Sequence, residues 1–210
     1  MEEGSKKLQM AAWTLLGTVL LLVAGLFFAS GGKRSNLPEL GTVHPFSLTN
    51  QSGEVIGLGD LKGKVWVADI IFTRCMGPCP KMTDEMRKLQ DAFGKEEALR
   101  FITLTTDPDH DTPGVMRRHA EKFSADPSRW HFLTGPKNEI LANLAVGSLK
   151  MSAVEKEEEQ RQNASDLFIH TTMFVLVDKR GKVRGAYESD APDFQGKIQA
   201  DIKSLLAEGD

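Results

Sequence analysis

Cysteine is scarce: the 210-residue chain has two, Cys75 and Cys79, and both fall in one stretch, "FTRCMGPCPKM", Phe72 to Met82. A disulfide scaffold needs several cysteines spread along the chain, so cross-links do not hold this fold together, and an adjacent pair speaks for reactivity or metal binding. Basic charge is in deficit as well. Lys and Arg number 26 against 29 Asp and Glu, a formal net charge of -3, and no Lys/Arg cluster with interleaved aromatics occurs. No nucleic acid is expected as a partner. Internal repeats and low-complexity tracts are absent. What remains, 40% apolar and 26% charged residues, suffices for one globular domain with an ordinary core.

One long hydrophobic run is present. Met10 to Ser30, "MAAWTLLGTVLLLVAGLFFAS", carries no charge over 21 residues, about the length that crosses a hydrocarbon core of roughly 30 Å. Small residues at Ala29 to Gly31 would suit a cleaved signal peptide, but the apolar stretch exceeds the usual roughly 7–15 residues, so we read an uncleaved transmembrane anchor. Lys6 and Lys7 on one side balance Lys33 and Arg34 on the other, which leaves orientation undecided by charge. Glu2 and Glu3 stand where a mitochondrial leader would be basic, and a bacterial inner membrane is the simpler location. Residues 1–9 are then a short tail, 10–30 the anchor, 31–40 a linker, and 41–210 one domain.

Within that domain, Val65 to Phe72 ("VWVADIIF") is a mostly apolar run suited to a buried central strand. The cysteine loop follows it. Pro80 fits the first turn of a helix whose apolar stripe is Met82, Met86, Leu89 and Phe93. Alternation continues with a strand at Leu99 to Thr105, a helix at Thr112 to Phe123, a short strand at Trp130 to Leu133 and a helix at Lys137 to Val146. A polar stretch, Gly147 to Asp166, interrupts it; "TMFVLVD" and "KVRGAY" around Lys179-Arg180-Gly181 then form a hairpin, and a last helix runs from about Asp193 to Ala207. This is an α/β, thioredoxin-like order, a sheet with flanking helices. It sets the cysteine pair between a strand and a helix, at the carboxyl edge of the sheet where redox and metal chemistry is done.

Pro78 and Pro80 cannot lie deep in a helix, so the helix is expected to begin within the loop, with Cys79 near its N-terminus and Cys75 in the preceding turn. The positive end of the helix dipole favours thiolate there. Two adjacent thiolates are good soft ligands, and the same closeness permits a disulfide; two cysteines that merely pack are the plainer alternative. Two thiolates suffice for Cu(I) but leave Cu(II) and Zn(II) under-coordinated, so a third donor decides between metal and pure redox chemistry. Of the five histidines, His44, His110, His119, His131 and His170, the last stands at the entry of a central strand, where such a sheet returns beside the cysteine loop. A lone histidine in apolar surroundings is otherwise a satisfied core or edge residue.

These motifs together resemble the Sco (SenC) family of membrane-anchored, thioredoxin-fold copper proteins. "FTRCMGPCP" is similar to the family's CxxxCP loop, "TLTTDPDHDTP" to its DPxxDTP turn, "FLTG" to a short following strand, and "IHTTMFVLVDKRGKV" to its histidine strand and hairpin; they cover nearly all of Gly41 to Asp210 in family order. The resemblance implies that Cys75, Cys79 and His170 bind copper, as Cu(I) or Cu(II), and that the domain helps load the binuclear copper centre of cytochrome c oxidase subunit II. It also implies a soluble domain outside the cytoplasm, facing the periplasm or cell exterior. Copper needs reduced sulfurs in an oxidising compartment, so an upstream thiol reductant is an expected partner. The alternative is an enzyme, a thiol-disulfide reductase that keeps a partner's copper-ligand cysteines reduced through Cys75 and Cys79 alone. A peroxidase reading finds no recognisable active-site threonine and arginine pattern around Cys75. Thioredoxin-fold oxidoreductases typically carry a cis-proline beside the pair; here the segment is Ile169-His170-Thr171-Thr172. The acidic, polar insertion at 147–166 is the least family-like part.

Other features have plainer readings. Asp107, Asp109 and Asp111 with His110 could bind a second metal, but a loop ending Asp-Thr-Pro before a helix reads as N-capping. Met76 could offer a thioether to Cu(I), yet filling space over the loop is the ordinary use, and Met82 and Met86 belong to the core. The run Glu155 to Arg161 reads as a solvated face, and "NAS" at Asn163 as a glycosylation pattern without meaning in a bacterium.

Overall fold

The computed structural model describes residues 10, 12–23, 35–157, 159, 168–170 and 172–209; the side chains of 153–155 and 168–170 fall outside the description. The chain divides into two units, one containing the N-terminal residues and one spanning Ser35–Leu206. In the first, residues 12–23 form a helix, α1. Its hydroxyls are satisfied by its own backbone, Thr14 Oγ1 donating to the Met10 carbonyl at 3.1 Å and Thr18 Oγ1 to that of Leu15 at 2.8 Å, so every outward side chain can be apolar. Trp13, Leu21 and Leu22 are exposed. Among the described residues no helix is long and apolar enough to cross a membrane; the rest of the expected span, 24–30, lies outside them.

The second unit is built on β4 (Val65–Ile71), in which every residue is buried. Period-two alternation sends its side chains to opposite faces. Val65, Val67 and Ile71 join one core cluster, and Trp66, Ala68 and Ile70 the other. β5 (Leu99–Thr105) lies parallel to β4, with β6 (Trp130–Leu133) parallel beyond it. On the other side β9 (Met173–Val177) is antiparallel to β4, followed by β10 (Lys182–Glu188) and the two-residue edge strand β1 (Gly41–Thr42). The result is a six-stranded sheet of order β1-β10-β9-β4-β5-β6. One face is covered by α2 (Cys79–Ala92), α3 (Pro113–Lys122) and α4 (Phe194–Leu206), through Met82, Met86, Met116, Ile198 and Ile202 among others. The other carries the hairpin β2 (Ser47–Thr49) and β3 (Val55–Gly57), with Leu48 and Ile56 inward. The β9–β10 turn closes at Gly181, whose φ of 75° suits a residue without Cβ.

Two segments depart from expectation. The helix expected at Lys137 to Val146 is a π-helix, Glu139–Ser148. Its wider winding is seen in the Leu149 N–H, which donates to the carbonyl of Leu144, five residues back. Gly147 permits it, since a Cβ there would stand 2.9 Å from the Ala142 carbonyl oxygen. Ile140, Leu144, Ala145 and Ser148 are thereby turned into the core. The polar stretch from Gly147 to Asp166 is also not all loop. Leu149 and Met151 are buried, and β7 (Ala153–Glu155) pairs antiparallel with β8 (Phe168–His170) in a separate two-stranded ladder. Residues 158 and 160–167 of the acidic insertion lie outside the described residues.

Candidate dithiol and metal centre

The cysteine loop begins where β4 ends. Pro78 is the N-cap of α2, Cys79 its first residue, and Pro80 sits in the first turn, where a missing N–H breaks no helical bond. Two acidic residues from the loop after β5 fix the approach to Cys75. Asp111, fully buried, accepts the Thr73 backbone N–H at 3.0 Å and the Thr105 hydroxyl at 2.6 Å on Oδ2, while the Thr73 hydroxyl donates to Oδ1. Asp107 Oδ2 receives Nη2 of Arg74 at 2.6 Å. The two residues immediately before Cys75 are thus clamped to the neighbouring strand end, and the Cys75 N–H turns back to the Phe72 carbonyl at 3.1 Å.

The expected capping role of "DPDHDTP" is corrected by this geometry. Thr112 is the N-cap of α3 but makes no side-chain cap bond; the carboxylate beside it is occupied by the cysteine loop. One oxygen each of Asp107 and Asp111 and a ring nitrogen of His110 lie within 4.8 Å of one another. Both Asp111 oxygens already accept hydrogen bonds, and His110 Nδ1 is itself 2.9 Å from Asp111 Oδ1, so the cluster serves as a hydrogen-bond hub.

No disulfide joins Cys75 and Cys79; Cys75 is partly exposed and Cys79 buried. The Cys79 thiol is pushed far above its ordinary range, first by the hydrogen bond it shares with Cys75, then by burial, with the Asp69 carboxylate adding to both. A backbone hydrogen bond at Phe72 opposes the shift. Sulfur–sulfur sharing and desolvation at Cys79 oppose the thiolate that a helix N-terminus favours. Two sulfurs close enough to share a proton are also close enough to share one soft cation.

Asp69 is the residue that sequence reading passed over. Fully buried on β4, it faces the dithiol electrostatically, and its one signal was a charge inside an otherwise apolar strand. Met76 also differs from expectation. It is 86% exposed and fills no space. His170 ends β8, its backbone paired with Ala153, and its imidazole lies outside the described residues. β9 runs antiparallel to β4 in the register Ala68–Val175, so the chain just before Met173 enters at the edge where β4 gives way to the cysteine loop. Of the remaining histidines, His119 packs against Phe123 and Phe132 with its Nε2 3.3 Å from the hydroxyl of Thr83, which donates to the Cys79 carbonyl, and His131 approaches Asn50 at 3.4 Å. A cavity of about 820 Å³ lies at the opposite end of β4, lined by Phe46, Leu58, Leu61 and Lys179 among others, and holds no thiol or imidazole.

A mixed sheet with α2, α3 and α4 on one face, the hairpin and the π-helix on the other, and a two-thiol loop between the central strand and α2 defines a thioredoxin-like dithiol protein. Residues 35–207 match the SCO1/SenC family model, and the chain belongs to that family. The fold is similar to that of a SCO1/SenC family lipoprotein from Bacillus anthracis (33% identity, TM-score 0.73, covering 83% of this chain and 99% of that one). It is similar also to BsSco, a member of the Sco family of cytochrome c oxidase assembly proteins in which a disulfide switch was identified (35% identity, TM-score 0.67, 80% and 96% coverage). Bradyrhizobium japonicum ScoI, solved with copper bound, matches at 26% identity and TM-score 0.66, over 79% of this chain and 99% of its own.

Proposed function

We propose that this protein is a copper chaperone in which Cys75, Cys79 and His170 hold the ion, and that its cargo is delivered to the binuclear copper centre of cytochrome c oxidase subunit II. The observation that carries the reading is the dithiol itself, two sulfurs sharing a hydrogen bond at the sheet edge where β4 ends and β9 begins. Copper-bound ScoI and the assembly role of BsSco support it. Copper is soft enough as Cu(I) for two sulfurs alone; an imidazole completes the set as Cu(II). Titrating the reduced protein with Cu(II) is expected to produce thiolate-to-copper charge-transfer absorption. His170→Ala should abolish or strongly shift that band, and an unchanged spectrum would remove His170 from the ligand set.

The same reading holds the protein at a bacterial inner membrane by a single span over Met10–Ser30, the domain facing the periplasm or cell exterior. Outside the cytoplasm the pair must be kept reduced by an upstream thiol reductant.

A second reading, a thiol-disulfide reductase for a partner's copper-ligand cysteines, draws on one observation: Cys75 is partly exposed while Cys79 is buried behind it, an arrangement that suits attack by one sulfur and resolution by the other. Complementation separates the two. A chaperone is expected to fail with either His170→Ala or Cys75→Ser, whereas a reductase tolerates the first and fails with the second.

A further inference from the structure

We propose that Met76 is the outermost copper ligand of this loop, a thioether through which Cu(I) enters and leaves the dithiol; the proposal rests on the copper reading above. Among the described residues, the large apolar side chains most open to solvent include Trp13 at 72% and Leu21 at 74%, both on α1, and Met76 exceeds them at 86%. Four other methionines of this unit behave as core, Met82, Met86 and Met116 at 0% and Met151 at 1%, and Met173 on β9 is partly buried. A methionine used for packing would be hidden like these. This one is held in water on the residue that separates Cys75 from Gly77, at the tip of the chain's only thiol-bearing loop.

Access explains what a sulfur there does. Cys79 is 1% exposed, so an arriving ion cannot meet it first. Cys75 is itself only partly exposed. Met76 is the most exposed sulfur donor of the loop, and a thioether is soft, uncharged and without a proton to lose, which suits Cu(I) over Cu(II) and over hard cations. Transfer then proceeds by ligand exchange. The bond between Cu(I) and the donor's sulfur breaks as the bond to Met76 Sδ forms; bonds to Cys75 and Cys79 follow, and the protons displaced from the thiols pass to water. Copper stays Cu(I) throughout and no electron moves. Delivery runs the same exchange in reverse, Met76 being the last group to let go.

The test uses the full chain, reduced and purified anaerobically in detergent. Cu(I) is presented as its complex with a chromophoric chelator, and the rate and extent of its withdrawal are read from the chelator's absorbance. Met76→Leu keeps the size and apolarity and removes the sulfur; Met76→Ala removes both. Both are expected to slow uptake and weaken Cu(I) retention equally, by about tenfold, the lower end of what losing a supporting group costs a metal site, while the Cu(II) charge-transfer band is unchanged. Uptake by Met76→Leu at the parental rate would overturn the proposal, as would a defect in Met76→Ala alone, which would assign the residue an apolar contact instead. A parent chain that takes no Cu(I) from the chelator would sink the copper reading together with this one; a normal parent with a normal Leu variant sinks this one only.

Discussion

Asp111 ties the two halves of the site together with a single carboxylate. Its oxygens collect a backbone N–H and a hydroxyl from the partly buried Thr73 and a second hydroxyl from Thr105, Asp111 and Thr105 both being at 0% exposure. Charged acceptors in such surroundings are worth more than neutral ones, and each buried donor left unsatisfied costs about 1–3 kcal/mol. Asp111→Ala strands several donors at once, so urea unfolding is expected to show a loss of at least that size. Asp111→Asn, which keeps the volume and one acceptor, should fall between. Equal midpoints for the Ala variant and the parent would mean that the loop does not depend on this contact. The sequence hid this role because "DPDHDTP" before a helix has the composition of an N-cap; only the spatial return of Thr73 shows where the carboxylate is spent. Asp69 was hidden differently. A lone charge in "VWVADIIF" breaks a clean pattern, and local inconsistency of that kind is where function tends to reside.

At the level of elements, legibility followed the strength of the period. β4, β5, β6 and the β9–β10 hairpin stand within a residue or two of their expected bounds, because a two-residue alternation or an unbroken apolar run against turn chemistry admits few alternatives. α2 begins at Cys79 as two flanking prolines require. The π-helix could not be read, since its hydrophobic spacing in "EILANLAVGS" is compatible with ordinary helix and the distinction lies in one glycine's contact with a carbonyl. That contact is testable. Gly147→Ala places a methyl 2.9 Å from the Ala142 oxygen, against backbone that cannot swing aside as a side chain would. Overpacking of this kind costs about 1–3 kcal/mol, and thermal unfolding should show the loss; a Tm equal to the parent's would mean the segment rewinds as α-helix without penalty. β7 and β8 were likewise beyond sequence reading. Three residues each, joined across a strongly polar insertion, they carry too little pattern to announce a ladder.

For the molecule as a whole, acid stability separates into two windows with one sign. Burial holds His119 below its ordinary 6.5, with Lys122 adding to the shift and Asp111 opposing it. His131 is lowered by burial and by Arg100, against Glu54 and Asp60. The unfolded chain therefore takes up these protons at higher pH than the fold does, and stability that is complete above about 6.5 falls as the pH drops through the depressed folded values. Asp178 adds the second window. Its burial opposes ionisation, but the N–H groups of Lys182 and Arg180 and the Arg184 guanidinium, 2.9 Å away, hold its carboxyl below the usual 3.8. Its contribution is present above that value and lost as the pH falls through the lower folded one. Urea unfolding from about pH 7.5 to 5 is expected to show decreasing stability, steepest below the ordinary histidine value. Replacing His119 by Phe, between Phe123 and Phe132, should flatten part of that slope, because one titrating ring has been exchanged for a group that takes no proton. A slope unchanged by the replacement would place the proton uptake elsewhere. This acid dependence of folding is distinct in origin from that of copper retention, which follows the protons that the ion displaces from Cys75 and Cys79.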